Sequence, residues 1–374
     1  MVEIVECKTK KQMKLFADFP IHLYEGVEQF VPSVFEDEIK ILSPKKNLMM
    51  GSSEARAFLA YKDDKLVGRI CAIINHESNK KHNEKCITFS RFDFVDDLEV
   101  SKALIMKVVE WGKERGLEEI HGPWGFNDTD REGMLTMGFD EKSCYATAYS
   151  YEYYVKHMAA LGFEKESEWL EYRVYTERYD ERYPKLAKML EARGYKDVTK
   201  GRSIKWVVKH YGDKFFDCYN QAYADLDNFI PLEGVAKKQT LKQFATIINI
   251  DYFSLIVDKD DEVAAFCVGL PYIGDALRKG KGRTLRSALG ILKAIKKPWM
   301  IELALMGVNP KYRNLGVHAC AVQKFIDSSS RDGIKEMWFD PTLTTNAKMI
   351  NSFSIMEREL RAKRQTYRLP LSKF

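Results

Sequence analysis

The run Val308-Asn309-Pro310-Lys311-Tyr312-Arg313-Asn314-Leu315-Gly316-Val317-His318 has the residue types of a phosphate site. An apolar stretch from Met300 to Met306 precedes it and reads as a buried strand. After it, Leu315, Cys320, Val322, Phe325 and Ile326 recur with helical spacing to about Ser330. A strand that feeds a helix through a short turn leaves amide N–H groups unpaired at the helix start, where the backbone dipoles are positive. That end attracts phosphate groups. Gly316 lets the backbone approach a ligand closely, and Lys311 and Arg313 add charge beside it. Taken alone, the same residues also suit an ordinary turn with a basic surface.

At these residues the chain resembles the GNAT superfamily of acyl-CoA-dependent N-acyltransferases. The superfamily signature is a strand ending V-x-P-x-Y/F-R, then R/Q-x-x-G-x-G/A before a helix. Val308, Pro310, Tyr312, Arg313 and Gly316 match it, and His318 replaces the last small residue. The resemblance implies an α/β (α+β) fold with a mixed, mostly antiparallel sheet flanked by helices. It also implies acetyl-CoA or a longer acyl-CoA as co-substrate, held by Met306, Val308, Lys311, Arg313, Asn314, Leu315, Gly316, Val317 and His318, with Asn346 and Phe353 beyond. The acceptor would be an amine, on a small molecule or linked to a lipid.

Aminolysis of a thioester needs a neutral amine, a base, polarisation of the carbonyl and often an acid for the leaving thiolate. By resemblance, the amides of Leu303 to Val308 polarise the carbonyl and Glu302 is the base; as a residue by itself, Glu302 reads equally well as an outward strand position. The superfamily acid is a tyrosine seven residues after an asparagine. Asn346 matches the asparagine, but the seventh residue on is Phe353, which has no proton to give. Either the thiolate leaves unassisted, or Tyr367 or Tyr312 supplies the proton, or this domain binds without catalysing.

These residues need a scaffold, and 374 residues suit two domains of ordinary size. Hydrophobic residues at 45% supply a core, and the net charge of +5 fits a phosphorylated ligand while being too small to argue nucleic acid. Seven scattered cysteines without a C-x-x-C pair point to reduced thiols. Met1 to Lys11 mixes charges, and no apolar run reaches the length of a bilayer span, so a cytoplasmic monomer or homodimer is expected. No H-E-x-x-H, zinc spacing, G-x-S-x-G or kinase signature occurs, and no metal is expected.

The two halves repeat. Asp64, Val67, Ile70 and Cys71 fall opposite Asp260, Val263, Phe266 and Cys267, and Gly116 to Ile120 fall opposite Gly333 to Met337. The expected domains are therefore 1–178 and 179–374, with 275–297 as an insertion in the second. In the first half the strand-to-helix junction reads Phe92-Asp93-Phe94-Val95-Asp96-Asp97-Leu98-Glu99, whose carboxylates cap the helix and repel a polyanion, so this half is a degenerate partner. Asp18-Phe19-Pro20, Phe30-Val31-Pro32, Val67-Gly68-Arg69-Ile70 and His121-Gly122-Pro123 resemble bacterial tandem GNAT-like proteins. The insertion carries eight basic residues from Arg278 to Lys297 and no acid, with Leu285, Leu289, Leu292 and Ile295 at helical spacing. Such a helix suits an anionic membrane surface, a cover over an acyl chain, a contact to the adenosine phosphate, or plain packing on its domain.

Overall fold

The computed structural model describes residues 1–127, 130–226, 229, 231–234, 237–238, 240–241, 247–346, 350 and 356–374. In chain order the strands are β1 Val2–Glu6, β2 Ser53–Lys62, β3 Lys65–Asn75, β4 Cys86–Phe94, β5 Glu119–Gly122, β6 Met134–Met137 and β7 Glu164–Tyr179. They continue with β8 Lys196–Asp197, β9 Phe253–Val257, β10 Val263–Pro271, β11 Ile301–Val308, β12 Glu336–Phe339, β13 Thr342–Leu343 and β14 Met356–Pro370. Two units divide the chain. One comprises Met1–Leu170, Gly274–Ala288 and Arg361–Phe374; the other comprises Glu171–Ile273 and Leu289–Leu360.

The single cut at 178/179 read from the sequence is thus replaced by an interleaved division, and the insertion at 275–297 is shared. Two local causes are visible. The end of β14 pairs antiparallel with β5, Tyr367 opposite Gly122 and Leu369 opposite Ile120, so the last strand covers an edge that the first 170 residues leave open. Gly274–Ala288 is tied to the same unit by Arg283 on Asp18 at 2.6 Å and by Thr284 on Glu36.

In the first unit the sheet order is β1-β2-β3-β4-β5-β14. Asp63 and Asp64, at φ 50° and 58°, close the β2–β3 hairpin in the left-handed conformations that match strand twist. The helix Leu98–Glu114 lays Val100, Leu104, Ile105, Val108 and Trp111 on the sheet, where Phe58, Ile70, Phe89 and Phe94 complete the core. At about 1.5–3 kcal/mol for each large buried side chain, this face holds the helix in place.

The second unit repeats the plan in the order β7-β12-β11-β10-β9-β8. Again an antiparallel hairpin, β9–β10, leads to an antiparallel neighbour, β11, and then to a short parallel pair. The parallel register covers three residues in each unit: Cys86–Thr88 against Glu119–His121, and Ile301–Leu303 against Met337–Phe339. Each unit also carries an irregularity just before its splayed pair, between Arg69 and Cys71 and between Val268 and Gly269. Among the described residues, no helix is long and apolar enough to cross a membrane.

Candidate functional site

The second unit's site is built on the splay of β11 from β12. Pairing with β12 stops at Leu303, and Asp340 makes a last amide bond to the Leu303 carbonyl at 3.2 Å. On the other side, Asn309 N–H donates to the Ala264 carbonyl, so by antiparallel alternation Gly307 and Leu305 also face β10. The peptide groups of Met306 and Val308 therefore turn to the edge that β12 has left. The Tyr223 hydroxyl donates to the Met306 carbonyl at 3.2 Å, which leaves the N–H groups of Met306 and Val308 to offer a ligand main-chain bonds. Register slips at Ala304, opposite the Val268/Gly269 step, and the bulge re-aims the strand at this point.

Below the strand, Asn309 caps the short turn Pro310–Tyr312 through the Lys311 amide. Asn314 and Gly316 follow at φ 67° and 75°, and the helix His318–Asp332 begins with no side-chain cap. Alternating left-handed and right-handed residues turn successive N–H groups the same way and make an anion-binding concavity. At the uncapped helix start the Ala319 and Cys320 amides bond the Gly316 and Val317 carbonyls, and the His318 amide is the one added to the concavity. At Gly316 a Cβ would lie 3.0 Å from Leu186, on a backbone that a side chain strains. Leu315 is exposed and lies before the helix rather than within it, and Val317 is buried beneath the turn.

The charged residues of the turn divide their work. Lys311 is exposed, with its ammonium 4.9 Å from the Tyr312 ring centre. Arg313 is turned inward, donating to the Ala222 carbonyl at 3.1 Å and lying 3.4 Å from Asp225. It therefore anchors the turn to the helix Ile204–Tyr223 instead of standing free for phosphate. His318 is half-buried against Tyr183, and burial pushes its imidazole down by disfavouring the charged form.

Tyr312 holds the turn from beneath, donating to Asp258 at 2.7 Å. Burial alone would raise the Asp258 carboxyl. The Tyr312 hydroxyl and the amides of Glu262 and Asp260 outweigh it and hold the group below the usual carboxylate range. A depressed carboxyl adds stability above its unfolded pKa, and that stability is lost as pH falls through the folded value. Asp258→Asn is accordingly expected to destabilise the protein by about 1–3 kcal/mol at neutral pH. In urea titrations the gap to the unchanged protein should narrow steadily below about pH 4, near the unfolded value. A gap that stays constant with pH would refute this.

The first unit treats the same junction differently. Asp97 caps the helix Leu98–Glu114 by accepting the Glu99 amide at 2.9 Å, and Lys62 neutralises Asp97 and Glu99 at 2.6 and 2.8 Å. That helix start is satisfied by the chain itself. His121 is a buried histidine with both ring nitrogens engaged, by Glu119 at 2.8 Å and Glu166 at 2.7 Å.

What the first unit does hold is a cavity of about 70 Å³ walled by Pro20, Phe30, Arg69, Asp93, Pro123 and Tyr154. Arg69 donates to Asp93 at 2.7 Å and to the Phe16 carbonyl at 2.8 Å, and lies 3.4 Å from Glu38. Arg91 bridges Glu38 at 3.1 Å and Asp130 at 3.0 Å. Tyr24 joins Asp93 to Tyr154 at 3.0 and 2.8 Å. Pro20, Phe30, Arg69 and Pro123, which carry the tandem resemblance, thus meet at one place, joined there by Glu38, Arg91 and Asp93. Arg91 and Asp93 stand as charges inside the otherwise uncharged β4, whereas Glu38 ends the short helix Phe35–Glu38.

No protein-family model matches the sequence. Over 367 residues the chain is 25% identical to protein YghO of Escherichia coli (strain K12), covering 91% of this chain and 88% of that protein. Over 322 residues it is 24% identical to a bacterial ceramide synthase of Caulobacter vibrioides (strain NA1000 / CB15N), covering 83% and 82%. Its fold aligns with a tandem GNAT protein from the clavulanic acid biosynthesis pathway over 99% of both chains, with a TM-score of 0.59 at 10% identity. This chain has the tandem GNAT fold.

Within the tandem GNAT fold the remaining sequence expectations can be placed. Glu302 is a buried residue of β11, register partner of Leu270 on β10 and Trp338 on β12, one position before the last parallel pair. It is not on a solvated face. Tyr367 belongs to the first unit's core, its hydroxyl without a hydrogen-bond partner among the described residues and pushed by burial up to about 12. β14 sets it opposite Gly122, where it packs in that core. Tyr312 is engaged with Asp258. Asn346 is half-buried, its amide bonded to the Leu343 carbonyl at 2.9 Å, and Phe353 lies outside the described residues.

Proposed function

We propose that this tandem GNAT-fold protein is an acyl-CoA-dependent N-acyltransferase whose second unit binds the coenzyme and whose acceptor is a lipid-linked amine. The observation that carries the reading is the splay of β11, with the amides of Met306 and Val308 unpaired by strands, leading straight into the left-handed turn and uncapped helix at Asn314 to His318. The strand edge suits the amide-bearing arm of the coenzyme, and the turn suits its pyrophosphate. An apolar cavity of about 40 Å³ that Leu305 of β11 helps to line, with Phe215, Phe253 and Val268, gives acyl carbons an apolar neighbour.

In the reaction, the acceptor nitrogen attacks the thioester carbonyl, a new C–N bond replaces the C–S bond as coenzyme A departs as its thiolate, and Glu302 receives the proton lost from the attacking nitrogen. Strand amides polarise the carbonyl oxygen as charge develops on it. Likeness to a bacterial ceramide synthase supports a long-chain amino alcohol as acceptor, since a ceramide is the N-acyl derivative of one. The first unit, with its self-capped junction, is read as a partner that binds no coenzyme.

Calorimetric titration with CoA, acetyl-CoA and palmitoyl-CoA, the last below its micelle concentration, tests the reading. Gly316→Asp is expected to abolish binding of all three. Lys311→Glu, which changes only an exposed side chain, is expected to weaken it by about tenfold, the worth of a phosphate-side charge of about 1.4 kcal/mol. Undiminished binding in both variants would remove the coenzyme from this turn.

A further inference from the structure

The helix Thr284–Lys296 is turned the opposite way from an ordinary amphipathic surface helix. Its only fully buried residue is Ser287, while Leu285 is 91% exposed, Leu289 83% and Leu292 55%. At about 100° per residue these three leucines fall on one side within a narrow arc. Lys296 lies inside that arc, and Lys293 and Arg286 border it. Trp299, just beyond the helix, is 48% exposed, with its ring against Tyr272 and Trp338.

The charges around this face also divide. Arg278, Lys281 and Arg283 are engaged by Asp275, Glu25 and Asp18 at 2.8, 3.3 and 2.6 Å. Arg286, Lys293, Lys296 and Lys297 are exposed and have no carboxylate partner among the described residues. Three outward leucines and a half-exposed tryptophan, with four uncompensated cations among and beside them, are mismatched to water and matched to one surface: apolar chains beneath anionic headgroups. A protein partner would need a groove of complementary shape, whereas a bilayer adapts to the helix.

We infer that the helix Thr284–Lys296, with Trp299, is a docking surface for an anionic membrane. The leucines enter the headgroup–acyl boundary and the cations sit on lipid phosphates. No residue of the coenzyme turn belongs to this surface, so it stands or falls independently of the acyltransferase reading.

Flotation of the full chain with vesicles tests this. Wild type is expected to float with phosphatidylcholine vesicles carrying about 30 mol% phosphatidylglycerol and to stay behind with phosphatidylcholine alone. Raising salt from about 50 to about 500 mM should weaken the association through screening. Leu285→Ser/Leu289→Ser/Leu292→Ser and, separately, Lys293→Glu/Lys296→Glu should each reduce bound protein at least about tenfold. These residues are exposed, so far-UV circular dichroism should show both variants folded, and Gly316→Asp should float normally. No flotation of wild type at low salt, or flotation untouched by both variants, overturns the inference. A concentration-dependent dimer in sedimentation that the leucine changes abolish would instead assign the face to a second copy.

Discussion

Glu302→Gln is expected to lower kcat for acyl transfer by about 10²- to 10⁴-fold, the span of a general base in catalysis, while leaving CoA affinity within about twofold. Glutamine keeps the shape of the side chain and removes the proton acceptor. The separation of effects follows from position. Glu302 lies in the paired part of β11, whereas the amides offered to the coenzyme begin at Met306 and the phosphate turn at Asn309. Single-turnover transfer to a long-chain amino alcohol, with palmitoyl-CoA bound in advance, measures the chemical step directly. An unchanged rate would take the base role away from Glu302. Tight palmitoyl-CoA binding by a wild type that transfers nothing would favour an acyl-CoA sensor on the same scaffold.

Arg69→Met should be the most damaging single change in the first unit, costing about 3–5 kcal/mol. Both its partners, Glu38 and Asp93, are buried; Glu38 keeps Arg91, but removing the cation strands the Asp93 carboxylate in a poorly solvated site. Methionine fills much of the volume, so the loss is electrostatic rather than a cavity effect. A cycle separates the two: Arg69→Met combined with Asp93→Asn should recover part of the stability, because it removes the charge that was stranded. Urea denaturation of wild type, the two single variants and the double variant provides the numbers. If the double variant is no more stable than Arg69→Met alone, the pair is not held by charge pairing.

The strand-and-helix plan was readable because each part has a local cause. Apolar runs broken by Asp63-Asp64 and by Asp260-Asp261 announce hairpins, and the left-handed glycines Gly116 and Gly333 end the long helices in both halves. The site on β11 was readable for the same reason, since Pro310, Gly316 and the apolar strand before them are neighbours in sequence. What the sequence did not disclose is pairing at a distance. Nothing local to Arg361–Phe374 says which open edge it will cover, or that Tyr367 will lie opposite Gly122. Arg69 and Asp93 become a pair only through the register of β3 on β4. Arg313 read as a free phosphate ligand because its two partners sit far back in the chain, at Ala222 and Asp225.

The last strand carries a consequence for biosynthesis. Tyr367, Leu369 and Leu371 are core residues of the first unit, yet the ribosome adds them after every residue of the second. The first unit therefore cannot close its core while it emerges, as an amino-terminal domain usually does. Its nascent sheet waits with the edge of β5 uncovered, a template for any other strand, until translation has passed through the second unit. Chains that stall or terminate before Arg361 leave that edge open, so ribosome pausing late in the message, rather than early, is where this protein is most exposed to aggregation.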